Sequence, residues 1–192
     1  MTMLIAGLIL FVGIHALPMR PALRAPLRQR LGELPYKAVF SLISLIGLVL
    51  IVQGYGAARA AGPALVYSPP VWLSHVTLLL MIPVFILLVA AYAPTGHIKA
   101  KLKHPMVLAV KIWAFAHLLA NGDIASVVLF GGFLAWGIVD RISLKKRGDI
   151  GGAAALRISS RGDVIAVVAG LALYVVFAFY LHEWLFGVPV IA

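Results

Sequence analysis

Hydrophobic positions in this chain come in long, nearly uninterrupted blocks, not at the spacing of one helix face or one strand face. Six blocks stand out, at about residues 2–19, 38–55, 71–93, 105–119, 124–139 and 164–186. A helix needs roughly 20 apolar residues to cross a hydrocarbon core about 30 Å thick. The pattern therefore predicts an all-α fold, a polytopic transmembrane helical bundle of about six spans in a single membrane domain over residues 1–192. The fourth and fifth blocks are short. Only Asn121-Gly122-Asp123 separates them, which predicts an antiparallel helical hairpin. Pro69-Pro70 opens the third block. Pro105 stands at the first turn of the fourth, where its missing N–H costs nothing. Gly148, Gly151 and Gly152 predict a flexible fifth loop. There is no internal repeat.

Composition agrees and excludes other classes. Of 192 residues, 63% are hydrophobic and 11% charged, and the mean hydropathy is +1.06. An ordinary soluble domain is near half apolar and a quarter charged, and a disordered chain is poorer still in apolar residues. Cysteine is absent, which removes disulfides, thiolate metal sites, a thiol nucleophile and covalent haem attachment.

The formal charge of +10 would invite a nucleic-acid reading in a soluble protein. Here its distribution matters more. Alternate loops hold fourteen basic residues: Arg20, Arg24, Arg28, Arg30 and Lys37; Lys99, Lys101 and Lys103; then Arg141, Lys145, Lys146, Arg147, Arg157 and Arg161. The opposite loops hold Arg59 alone. Basic loops mark the cytoplasmic side, so both termini are expected outside, and the expected partner is membrane lipid, not nucleic acid. The first block does not read as a signal peptide, because its basic residues follow it and no A-x-A site is present.

Ionisable residues at membrane depth are expensive and mark function. The candidates are His15, His75, His104, Lys111, His117 and Asp140. By depth, His15 and His104 form an inner pair, and His75 and His117 an outer pair. His104 and His117 are about 20 Å apart along one helix at 1.5 Å per residue, so they cannot share one iron. A mixed pair, His15 with His117, also fits if helices are short or tilted. Each pair draws on two helices, the usual arrangement for a cofactor inside a bundle. Acids are too few for a di-iron carboxylate site or a supported zinc site, so neutral histidines fit haem iron best. The alternative is plain: a histidine near a helix end often only bonds a carbonyl, a headgroup or water. His97 reads as a solvated loop residue, and His182 and Glu183 as headgroup residues.

The block from His104 to Gly122 is the most informative. Met106, Val110, Trp113, His117 and Asn121 share one helix face, and His104, Leu108, Lys111 and Phe115 another. Two polar faces predict a central helix. Lys111, Trp113 and Asn121 are therefore cofactor-contact candidates. Lys111 has three readings: it snorkels, pairs with Asp140, or neutralises a cofactor carboxylate. Arg20, Arg24 and Arg28, at four-residue spacing, predict a short interfacial helix against anionic lipid. Gly7, Gly13, Gly47, Gly131, Gly132 and Gly137 predict close helix packing. Trp72, Trp113, Trp136 and Trp184 predict an aromatic belt.

Several runs carry a resemblance. Phe11-Val12-Gly13-Ile14-His15, Arg24 and Arg28, Leu31-Gly32-Glu33 and Tyr36 resemble the opening of the NnrU family of bacterial membrane proteins. So do Ser41 to Gly47, Pro70-Val71-Trp72 with His75, His104-Pro105-Met106 with Trp113 and His117-Leu118-Leu119-Ala120-Asn121-Gly122, and Gly187-Val188-Pro189. The resemblance implies a bacterial inner-membrane protein, in which the termini placed outside by the loop charges would be periplasmic, and a link to nitrite and nitric oxide metabolism in denitrification. The family is similar to the plant 15-cis-zeta-carotene isomerase, which implies haem b ligated by His15 and by a histidine of the His104–His117 helix. It is more distantly similar to isoprenylcysteine carboxyl methyltransferases. This chain departs from them in having Met106 near an expected aromatic and in lacking their acidic, tyrosine-rich C-terminal segment.

Two functions follow as expectations. One is a haem b membrane protein, either a redox-gated isomerase of a hydrophobic small molecule or a haem protein of nitric oxide metabolism. The other is a non-enzymatic accessory or sensor in denitrification.

Overall fold

The computed structural model describes residues 1–155 and 157–190. Contacts divide the chain into two units. Unit 1 comprises Met1–Pro69 and Asn121–Leu144; unit 2 comprises Pro70–Ala120 and the segment from Lys145 on. Among the described residues the structure is helical, with one isolated bridge, Leu65 to Asp123.

Unit 1 contains α1 (Thr2–Ala16), α2 (Pro21–Leu31), α3 (Glu33–Ala60) and most of α7 (Ile124–Lys146). A 3-10 turn, Leu17–Met19, closes α1, and Pro21 occupies the first position of α2. Gly32, at φ 81°, separates α2 from α3, a backbone setting that glycine adopts without strain. The expected short helix is present as α2, which carries Arg24 and Arg28 and has Arg20 as its N-cap. Arg28 bonds Glu33, and Lys37 lies 3.0 Å from the same carboxylate.

α1 and α3 pack antiparallel with almost no space between their backbones. A Cβ on Gly7 would lie 2.6 Å from Ile51 N, and one on Gly47 would lie 2.8 Å from Phe11 N. A Cβ on Gly54 would strike the backbone of Leu4. In a bilayer, apolar side chains gain little by leaving lipid, so close backbone approach through small residues drives association.

The short connection before α7 is pinned to residues 64–67. Val66 N donates to Gly122 O at 2.8 Å, and Ile124 N to Ala64 O at 3.0 Å. A side chain on Gly122 would strike Tyr67 O, so glycine is required there. Asp123 caps α7. Its carboxylate accepts from Ser126 N at 2.9 Å and from Ser126 Oγ at 2.6 Å, and Ser126 Oγ meets Tyr55 Oη at 2.9 Å.

Unit 2 contains α4 (Trp72–Tyr92), α5 (His97–Leu102), α6 (Pro105–Ala120), α8 (Ser160–Val176) and α9 (His182–Phe186), with a π-helical turn, Phe177–Leu181, between the last two. Val84, Leu87 and Ala109 form its core, with Trp113 and Ile112 against them. Gly162, Ala166 and Gly170 form a buried small-residue row on α8; a Cβ on Gly170 would lie 2.6 Å from Ile86 Cα. Every residue of α6 except Phe115 is at least partly buried, which matches a central helix.

Among the described residues, five helical segments are long and apolar enough to cross a membrane: Thr2–Met19, Glu33–Ala60, Trp72–Tyr92, Ile124–Ala154 and Ser160–Phe186. Pro105–Ala120 is shorter, at about 24 Å from 16 residues. The chain is a helical membrane protein. The second and fifth helices run well past the expected blocks, because Glu33, Lys37 and Arg59, and Arg141 to Lys146, continue them as polar turns.

Candidate functional site

His15 lies in the last turn of α1. Its Nδ1–H donates to Phe11 O at 2.7 Å. That fixes the tautomer and leaves the Nε2 lone pair as the ring's ligand atom. An aromatic shell holds the ring. Phe11 stacks on it at 4.2 Å and 26°, Phe40 meets it edge-on at 5.2 Å, and Trp136 stands perpendicular at 6.1 Å. Phe133 extends the shell behind Phe11 at 5.7 Å. The 11-to-15 spacing on α1 produces the stack. The α1–α3 glycine register brings Phe40, and α7 brings Trp136. A bond from one ring nitrogen to a carbonyl orients the imidazole, as it does in many metal-binding histidines.

Unit 2 repeats half of this design. His117 Nδ1–H donates to Trp113 O at 2.8 Å, and the Trp113 ring lies 5.3 Å away. His75 is not presented to His117. Thr77 Oγ1 donates across to Ala116 O at 2.7 Å, so that side of α4 faces α6. His75, two residues earlier, is turned about 200° away and is exposed.

His104 is differently employed. Its Nε2–H donates to Asp149 O at 3.1 Å, with Asp149 Oδ1 at 3.4 Å. Lys103 before it forms a tight turn with φ 66°, closed by His104 N to Leu102 O at 2.8 Å. Gly152 N donates to Lys103 O at 2.8 Å. Glycine at 151 and 152 is required here, because a Cβ on Gly151 would lie 2.7 Å from the His104 ring. The fifth loop thus contacts Lys103 and His104 through Asp149, Gly151 and Gly152.

The remaining candidates separate. Lys111 belongs to unit 2 and Asp140 to unit 1. Asn121 belongs to unit 1, where its carbonyl accepts from Tyr67 Oη at 3.0 Å. Tyr67 lies outside the spans, and burial, then the charge of Asp123, pushes its phenol above the usual value. Trp113 packs in the core of unit 2 and Trp136 around His15; only Trp72 and Trp184 stand exposed as a belt requires. A Cβ on Gly13 or on Gly131 would meet nothing within 4 Å, so these two glycines pack against no helix.

Sequence reasoning missed two features. His97 is not merely solvated: Asp163 accepts from its Nδ1 at 2.9 Å and from the backbone N–H of His97 and Ile98 at 2.8 and 2.9 Å. His182 is not simply a headgroup residue. Its Nδ1–H donates to Val188 O at 2.8 Å, Phe177 and Phe186 flank it, and it lies within electrostatic reach of His117. The π-helical turn before it resets the helix phase, which a 3.6-residue reading does not anticipate. Among the described residues no group of three or more histidine and acidic side chains is poised for a metal ion.

A family model described as NnrU protein matches residues 3–190. The chain belongs to the NnrU family. No curated protein and no solved structure matches it. In this NnrU protein the helix-bound, aromatic-caged imidazole of His15 is the best-built candidate ligand, and His117 is the nearest to it in kind.

Proposed function

We propose that this NnrU protein is a haem b protein of the bacterial inner membrane, with periplasmic termini, acting in nitrite and nitric oxide metabolism or on a hydrophobic substrate as a cis–trans isomerase. The observation that carries the reading is His15. Its Nδ1–H is held by Phe11 O at 2.7 Å, and its ring sits in an aromatic shell. The residues fit a flat, apolar, iron-bearing group. Phe11, Phe40 and Trp136 supply ring contacts and exclude water, and Nε2 supplies a neutral nitrogen ligand. His117, held by Trp113 O, is the α6 histidine best suited to the same task; His104 has its Nε2 on Asp149 instead. When bound, the haem would supply the redox chemistry and a site for nitric oxide or for a polarised double bond. The protein's part is to orient the imidazole, keep the site dry, and admit a hydrophobic molecule from the lipid side.

The test is the visible spectrum of the protein purified from haem-replete cells. A Soret band that moves with nitric oxide, and acid-acetone extraction of all the haem, support the reading. A colourless protein would overturn it and favour the accessory or sensor alternative. Denitrifying growth of a deletion strain, complemented by wild type and by His15→Ala, separates a role in nitric oxide metabolism from an unrelated isomerase.

A further inference from the structure

In unit 1 a cleft runs between α1 and α7, and contacts mark its successive layers. A Cβ on Gly132 would lie 3.7 Å from the Leu8 side chain. Phe133 meets Phe11 at 5.7 Å, and Trp136 meets His15 at 6.1 Å. At the Leu8 layer the cleft opens into an apolar groove of about 270 Å³, lined by Leu8, Ile9, Val12, Gly13 and Gly132. From residue 8 to residue 13 it extends about 7.5 Å along α1, in the middle of the Thr2–Met19 span. His15 is one turn beyond Val12, and Trp136 one turn beyond Gly132, so the His15 ring stands in the next layer of the same cleft.

The groove exists because side chains are missing. Glycine inside a helix costs about 1 kcal/mol relative to alanine. Gly7, Gly47 and Gly54 offset that by admitting the backbone of a facing helix. Gly13 admits none: its Cβ would meet nothing within 4 Å, and it is exposed. The His15 ring is the second observation. Its Nδ1 is bonded, but its Nε2 makes no hydrogen bond among the described residues. Nor is that nitrogen among the sealed polar atoms without a partner, which are Arg24 Nε, Tyr36 Oη and Trp136 Nε1. The ligand nitrogen can therefore be reached, and the groove is the open part of its cleft.

The walls decide what can lie there. No lining side chain carries a charge or a hydrogen-bonding group, so a polar molecule would lose its hydration and gain no partner. Nitric oxide would need about one water's share of space, about 30 Å³, a small part of the groove. Six positions of α1 against a single position of α7 make a slot that suits a length of extended chain better than a compact ring system. Ile9, on its bank, is 67% exposed, which leaves the slot open sideways to the hydrocarbon core. The rest of a long chain can stay in lipid.

We propose that this groove seats the extended, unsaturated hydrocarbon chain of the molecule on which the protein acts, and that Gly13 and Gly132 set its selectivity. The chain enters from the bilayer, lies over the two glycines, and passes the Nε2 side of His15 with its next stretch. The unsaturation and a role at iron rest on the haem reading; the seat itself rests on the groove and stands without haem. Of the two activities proposed, the groove favours the one on a hydrophobic substrate.

The test uses the full chain in nanodiscs of dimyristoyl phosphatidylglycerol, with oleyl alcohol carrying a mid-chain diazirine as the probe and mass spectrometry as the readout. Label on Val12 and His15 should saturate as the probe's mole fraction rises. Label on Val49, an exposed residue of α3, should rise in proportion. Unlabelled oleyl alcohol should compete for the saturable label, and adamantanol, compact and apolar, about tenfold more weakly or less. Gly13→Leu should lower the saturable label about tenfold or more, as added methylenes in an apolar pocket do, with haem content and Tm undiminished. Gly131→Leu, at a glycine whose Cβ also meets nothing within 4 Å but which does not line the groove, should change nothing. Proportional label on Val12 and His15, the mark of ordinary lipid contact, would overturn the proposal. So would equal competition by adamantanol, or unchanged label in Gly13→Leu. A colourless protein that keeps the saturable label would sink the haem reading alone, and a haem-loaded protein without it would sink the groove alone.

Discussion

Phe11 holds His15 twice. Its carbonyl accepts the Nδ1 hydrogen at 2.7 Å, and its ring lies against the imidazole at 4.2 Å. Two attachments from one residue, a turn away on the same helix, leave the imidazole one nitrogen and one direction for a ligand.

Replacement of His15 is therefore the most informative single change. His15→Ala should lower the haem content of purified protein by on the order of tenfold or more, read by the pyridine haemochromogen. His104→Ala should keep its haem and lose about 0.5–1.5 kcal/mol of stability, the net worth of one exposed hydrogen bond to the Asp149 carbonyl. Loss of haem in His104→Ala with retention in His15→Ala would reverse the assignment.

The glycines divide into two classes that one substitution separates. Gly54→Ala and Gly170→Ala drive a methyl into backbone on the facing helix and should cost about 1–3 kcal/mol or more. Gly13→Ala meets nothing within 4 Å and should be neutral, or stabilising by about 0.5–1 kcal/mol from helix propensity. Unfolding temperature in detergent checks both.

Asp163 closes the start of α5 from a distant part of the chain. Asp163→Ala removes three hydrogen bonds at once. It should loosen the start of α5, as loss of a helix cap does, and should speed tryptic cleavage at Lys99 and Lys101 in otherwise intact protein. Unchanged cleavage would mean that α5 is held by other contacts.

The chain lacks cysteine, so single cysteines report topology cleanly. Gly148→Cys should be shielded from an impermeant maleimide in intact cells, and Val66→Cys should be labelled. The opposite result would invert the orientation drawn from the loop charges.

The apolar blocks made the membrane class and the order of the long helices legible, since a bilayer leaves the backbone few alternatives to a helix; six spans were expected, and five helical segments among the described residues are long enough to cross. The His15, His104 and His117 positions relative to their helix ends were legible for the same reason. What each histidine does was not. His104 and His117 look alike as letters at two ends of one helix. Yet His104 spends Nε2 on Asp149, 45 residues later, and His117 spends Nδ1 on Trp113, four residues earlier.

The fate of the glycines shows the same division. Small residues in a span announce close packing, but Gly7 and Gly47 found a partner backbone while Gly13 and Gly131 found none. Which glycine is covered depends on the rotation of one helix against the next, and hydropathy carries no rotational phase in a helix that is apolar all round. The sequence alone determined that this protein lives in a membrane, because transfer free energy is a local sum over residues. Only the tertiary structure decided that one buried polar atom each of Tyr36, Arg24 and Trp136 has no hydrogen-bond partner among the described residues, because hydrogen-bond satisfaction depends on what packs alongside, and neighbours such as His15 and Trp136 come from helices more than a hundred residues apart.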